Sequence, residues 1–133
     1  IYCSSGFVAE SVIIDDESKT MSAINIIEEI NARQLPIVIY KINILYFLLK
    51  SKENTETIFD LKLDIYNNSK IILSANLKTN FINNFRTRSK IQLLGLVISD
   101  IGELIFDLSY KEQIIHSIKI PITYNTPPTT TTS

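Results

Sequence analysis

The stretch Ile58-Phe59-Asp60-Leu61-Lys62-Leu63-Asp64-Ile65-Tyr66 decides the fold class. Apolar Phe59, Leu61, Leu63 and Ile65 alternate with Asp60, Lys62 and Asp64. That is the period of a β-strand with one buried and one wet face. Asn67-Asn68-Ser69-Lys70 supplies turn chemistry and residues 71–78 return, so the pair reads as a hairpin. Downstream, residues 86–98 put Ile91, Leu93, Gly95 and Val97 on one face. The opposite face begins with Arg86, Arg88, Lys90 and Gln92 and turns apolar at Leu94, Leu96 and Ile98. Ser99-Asp100-Ile101-Gly102 turns the chain into a strand alternating at Leu104, Phe106, Leu108 and Tyr110. After Lys111-Glu112-Gln113, residues 114–122 form the last strand. Upstream, residues 7–14 read as a strand closed by Asp15-Asp16-Glu17-Ser18-Lys19. Residues 42–49 are apolar on both faces, as in a central strand covered on both sides. Residues 51–57 are a polar loop.

Residues 20–33 are ambiguous. Ala23, Ile26, Ile27 and Ile30 fall at helical spacing, with Thr20 or Ser22 available as an N-cap. As a strand, Ile24, Ile26 and Ile30 share a face with Glu28. The pattern alone favours a helix slightly. Short strands with turn signals at near-regular spacing predict an all-β chain, an antiparallel β-sandwich of seven or eight strands, immunoglobulin-like or C2-like, with room for one short helix. The expected organisation is an N-terminal extension at residues 1–6, one domain at 7–124 and a Thr/Pro-rich tail or linker at 125–133 without apolar side chains.

Composition narrows the function classes. The chain has 133 residues, 13 basic and 14 acidic side chains and a net charge of −1. One domain of this size with 45% hydrophobic and 20% charged residues is too apolar for a disordered chain. Ile dominates, at about 25 residues, and β-branched side chains favour pleated surfaces. The charge gives no global field for nucleic acid or an anionic membrane. The longest apolar stretch, residues 35–49, is interrupted by Lys41 and Asn43 and is short of the roughly 20 residues a spanning helix needs. A single Cys excludes an internal disulfide and fits either a reducing compartment, with a cytoplasmic setting expected, or a domain whose core needs no staple. In a eukaryotic secretory setting Asn67-Asn68-Ser69 would be a glycosylation acceptor.

Two blocks carry a resemblance. Ala9-Glu10-Ser11-Val12-Ile13-Ile14-Asp15, an acidic turn, Ser22-Ala23-Ile24-Asn25-Ile26-Ile27-Glu28-Glu29-Ile30 and Leu35-Pro36 form the first. Arg88, Leu94-Gly95-Leu96, Gly102, Leu104 and Phe106-Asp107-Leu108 form the second. Together, over residues 7–122, they resemble an uncharacterised family of small bacterial β-sandwich domains. The resemblance implies a compact sandwich in which residues 22–30 are a strand, and that reading is adopted against the helical count. It implies no activity, cofactor or functional residue.

The motifs are weighed against ordinary structural roles. His116 sits among Ile114, Ile115 and Ile118 without a catalytic motif, and a general base needs a nucleophile and an orienting carboxylate beside it. Cys3 has no basic neighbour to activate it. Asp15-Asp16-Glu17, with Asp100 and Glu103 on another turn, suggests calcium, but one loop does not supply six to eight oxygens. Arg86, Arg88 and Lys90 make a basic stripe that fits an anion or simply protects a strand from edge pairing. Phe81 and Phe85 are placed for stacking on bases, but no nucleic-acid-binding motif accompanies them.

Surplus hydrophobicity is the most informative feature. Leu94, Leu96 and Ile98 face away from Ile91, Leu93 and Val97, so both sides of that strand need cover. The expectation is a non-enzymatic module without a cofactor, acting through self-association or a protein partner across Leu94, Leu96 and Ile98. An anion- or calcium-binding sandwich and a virion or filament subunit are the alternatives.

Overall fold

The structure, a computed structural model, describes residues 1–15, 17–18, 20–82 and 84–124. Nine strands follow one another: β1 (Tyr2–Ile14), β2 (Met21–Ile26), β3 (Ile30–Ala32), β4 (Ile37–Leu49), β5 (Ile58–Asn67), β6 (Lys70–Asn80), β7 (Arg86–Ile98), β8 (Gly102–Tyr110) and β9 (Gln113–Tyr124). They form a four-stranded sheet, β2-β1-β4-β7, and a five-stranded sheet, β3-β9-β8-β5-β6. All pairings are antiparallel except the short parallel contact of β3 with β9. No helix occurs among the described residues, so none is long and apolar enough to cross a membrane.

The alternation of β5 survives intact. Phe59, Leu61, Leu63 and Ile65 enter one core with Leu104, Phe106 and Leu108 of β8 and Ile120 and Ile122 of β9. The four-stranded sheet meets them with Val8, Ile42, Ile44, Tyr46, Leu48, Leu96 and Ile98. Burying each large side chain of this kind contributes about 1.5–3 kcal/mol. Phe81, in the β6–β7 connection, closes one end with its ring edge-on to Phe59 at 5.4 Å.

Residues 20–33 are not helical. β1 offers an antiparallel partner, pairing Ala9 with Ile26 and Ile14 with Met21. Tertiary pairing of β-branched residues overrides the helical stripe. Nor is this one strand. Asn25 takes φ 56°, Ile27 N–H donates to Val8 C=O at 2.7 Å, and the chain crosses to the other sheet, where Ile30 and Ala32 pair with Ile122 and Tyr124. That split gives nine strands in place of seven or eight. Most of the expected N-terminal extension also belongs to β1, since Tyr2 pairs with Leu49 and Gly6 with Tyr46 across an irregularity between Cys3 and Ser5. The expected tail at 125–133 lies outside the described residues.

β4 and β7 stay in one register from Ile37↔Ile98 to Leu49↔Arg86. Along them, Ile42, Ile44, Tyr46 and Leu48 point inward, yet so do Ile37 and Ile39. In β7, Ile91 and Leu93 face the core, and after Gly95 so do Leu96 and Ile98. Both strands reverse face together around Tyr40 and Gly95, and Gly95 permits it with φ 78°. Strict alternation therefore fails there. Leu96 and Ile98 are 3% and 0% exposed, whereas Leu94 stays outside.

A buried side chain organises the turn into β8. Asn67, 2% exposed, accepts from the N–H groups of Ser99 and Asp100 at 3.1 and 3.0 Å. Its Nδ2 donates to the Asp100 carbonyl at 3.0 Å. Asn68 donates to Ile101 C=O and accepts from Glu103 N–H. The Asn67-Asn68-Ser69 triplet is thus a structural clamp, its Asn67 amide buried and bonded.

Two substitutions separate these devices. Asn67→Ala leaves buried groups unpaired, with an expected loss of about 2–3 kcal/mol. At Gly95 an added Cβ meets nothing within 4 Å, so Gly95→Ala carries only the positive-φ penalty. The expected loss there is about 1–2 kcal/mol. Urea unfolding of both variants measures the difference, and equal losses would contradict the assignment.

Candidate interaction surface

The outer face of the four-stranded sheet can be read row by row from its register. Tyr2, Leu49 and Arg86 form one row, and Ser5, Phe47 and Arg88 the next. Phe7, Leu45 and Lys90 form a third, followed by Ala9, Asn43 and Gln92, and in these two rows Ala9, Leu45 and Asn43 are already buried within the chain. Period-two geometry on the edge strand β7 therefore brings Arg86, Arg88 and Lys90 together on one face, beside the Phe7–Phe47 ring pair at 6.3 Å. At this end an open cleft of about 670 Å³ is lined by Ser4, Ser5, Phe47, Asn84, Arg86 and Arg88 among others.

Past the face reversal the same side becomes apolar. Val38 stands opposite Val97, and Tyr40 and Leu94 project beside them. Tyr40 is 81% and Leu94 73% exposed. Of the residues expected at an interface, only Leu94 lies here; Leu96 and Ile98 belong to the core. Tyr40, Val38 and Val97 escape sequence reasoning because a glycine followed by an apolar run does not announce a change of face. Nine of the sixteen large apolar side chains exposed among the described residues lie on β1, β2, β4 and β7, including mid-strand positions. The four on the five-stranded sheet, Ile58, Ile71, Ile114 and Tyr124, lie at strand ends.

Charge separates the two sheets further. The four strands β1, β2, β4 and β7 contain one acidic residue, Glu10, against Lys41, Arg86, Arg88 and Lys90. The outer face of the five-stranded sheet is mixed and polar. There Ser74, Asp64, Asp107 and Ser117 make one cross-strand row, each hydroxyl donating to its neighbouring carboxylate at 2.6 Å. Lys62 Nζ lies 3.8 Å from Asp64 Oδ1 and offsets the repulsion of the paired carboxylates.

Two buried polar atoms lie between the sheets. The Tyr46 and His116 rings meet edge-on at 5.7 Å, and neither Tyr46 Oη nor His116 Nδ1 has a hydrogen-bond partner among the described residues. Gly6 makes room, because a Cβ there would stand 2.7 Å from Tyr46 Cδ1 and 3.2 Å from His116 Cε1. Burial above all, with the nearby Asp107 carboxylate adding to it, pushes the Tyr46 hydroxyl above its ordinary range. Burial also pushes the Cys3 thiol up and holds His116 below the usual imidazole value. These shifts keep all three groups neutral and disfavour thiolate or phenolate chemistry.

The acidic turns reach the same end of the sandwich. β1 and β7 both end there, delivering Asp15 and Glu17 on one turn and Asp100 on another, with Glu103 just inside β8. Glu28 and Glu29 lie in the nearby crossing between β2 and β3. Asp15 Oδ1 accepts from Glu17 N–H at 3.0 Å, which holds its carboxyl below the usual range. Among the described residues no three His, Cys, Asp or Glu side chains lie close enough to hold a metal ion. No family model and no curated protein matches this chain.

His116 gives the fold a pH dependence with a definite sign. Its folded-state pKa lies below the ordinary 6.5, so its contribution is fully present above that pH. As pH falls from 6.5 through the folded pKa, the unfolded chain takes up a proton first and stability is lost. The melting temperature should fall between pH 7 and 5, and His116→Phe should fall less. An identical profile for the variant would contradict this.

Proposed function

We propose that the chain is a non-enzymatic β-sandwich interaction module whose outer four-stranded face docks protein. The observation that carries this reading is the mid-strand exposure of Tyr40, Leu94, Val38 and Val97 beside a basic stripe on a sheet with one acidic residue. A solvated sheet face is polar, as the opposite face is, and a contiguous apolar patch marks a contact site. The strand order supports an immunoglobulin-like rather than a C2-like sandwich. β9-β8-β5-β6 reads as strands G-F-C-C′ and β1-β4-β7 as A-B-E, with β2 added outside A. The resemblance to small bacterial sandwich domains agrees with this and adds no activity.

A second reading rests on the cleft beside Arg86 and Arg88. Guanidinium groups with Ser4, Ser5 and Asn84 suit a phosphate or carboxylate ligand.

Leu94→Asp with Tyr40→Ser should leave the melting temperature within a few degrees, because both side chains are exposed. The same pair should abolish complexes that the chain forms in extracts of its own source, seen by native size exclusion. Unchanged complexes would refute the docking face. A thermal shift of several degrees with phosphate, lost in Arg86→Ala, would favour the anion reading instead.

A further inference from the structure

We infer that the outer face of the four-stranded sheet docks a second copy of this chain about a two-fold axis, setting the acidic turn of each copy on the basic stripe of the other. The inference rests on the docking-face reading above and names its occupant.

Charge complementarity points to a copy. One end of the face carries Arg86, Arg88 and Lys90, and strand β1 leads from the row of Lys90, at Phe7, to Asp15 and Glu17 beyond the other end. Those eight residues of strand span about 26 Å. A two-fold axis lying in the plane of the face, oblique to the strands and near Gln92, exchanges its ends and its β1 and β7 flanks together. It lays each acidic turn on a basic stripe and sets Tyr40, Leu94 and Val97 of one copy against Phe7, Phe47 and Leu49 of the other. The contact is self-complementary, so both charge matches form at once and the assembly closes at two chains.

Area permits it. β4 and β7 each run 13 residues, about 43 Å, and with β1 alongside make a face about 14 Å wide. The footprint is about 600 Å² per partner, the lower bound for a stable specific interface. Such an interface predicts micromolar association that weakens with salt.

Light scattering coupled to size exclusion on the full chain reads the answer. The wild type, 15.1 kDa per chain, should run as a dimer at tens of micromolar. Arg86→Glu and Glu17→Lys should each weaken dimerisation about tenfold or more with melting temperature retained. Mixing the two variants should restore it, because in the mixed dimer both contacts are again of opposite sign. A wild-type monomer at 200 µM overturns the inference and leaves the docking face to its own extract experiment. A dimer indifferent to Arg86→Glu and to Leu94→Asp places the contact elsewhere and overturns it. So does a mass that climbs past two chains with concentration, or a mixture that stays monomeric.

Discussion

The in-register pairing of β4 with β7 is the constraint on which the other features depend. It is the longest ladder in the molecule, and it holds a single register while both strands change the face they present. Had only one strand changed face, core side chains would have lain opposite outward ones. Because Tyr40 and Gly95 are cross-strand neighbours, the change is shared, and apolar pairs meet apolar pairs on each side of it. The core receives Ile37, Ile39, Leu96 and Ile98 on one side and Ile42, Ile44, Ile91 and Leu93 on the other. What stays outside is set by the same step: Lys41 and Leu94, Tyr40, then Val38 and Val97.

Much of the fold was legible in the residues, for a physical reason. Where one face is wet, period two is unambiguous, and β5, β8 and the β5–β6 hairpin follow their patterns closely. Where both faces are apolar, alternation loses its reference and the phase cannot be read. That is why Leu96 and Ile98 were expected outside with Leu94. A positive φ at Gly95 is invisible to a pattern count, since many strand glycines keep φ negative. At residues 22–30 only the pattern count misleads, since the strand implied by the resemblance is present as β2 and the start of β3. Their helical spacing is real, but an isolated helix of that length is marginal, and the free edge of β1 supplies pairing that the spacing does not encode. The basic stripe was readable because Arg86, Arg88 and Lys90 precede the reversal. Tyr40 and Val97 joined it as neighbours only once the register was known.

The two outer faces divide the molecule by chemistry. Asp64 and Asp107, capped by Ser74 and Ser117 and neighboured by Lys62, find their partners among the side chains of their own face. The four-stranded face has aromatic and aliphatic side chains, positive charge and almost no acid. Its complement lies on the turns at the far end of the same sheet. Between the faces, Tyr46 and His116 are tucked beneath Gly6 as neutral packing groups. The Ile-rich composition thus serves two ends, a core shared by both sheets and an outer surface on one of them.

Hydroxyl-radical footprinting at two protein concentrations tests the proposed docking face most directly. Tyr40 and Leu94, each more than 70% exposed in the single chain, should be labelled strongly in dilute protein. They should become protected at high concentration, while Ile114 and Ile71 on the five-stranded sheet stay equally reactive. Equal labelling of Tyr40 and Leu94 at both concentrations would contradict the account.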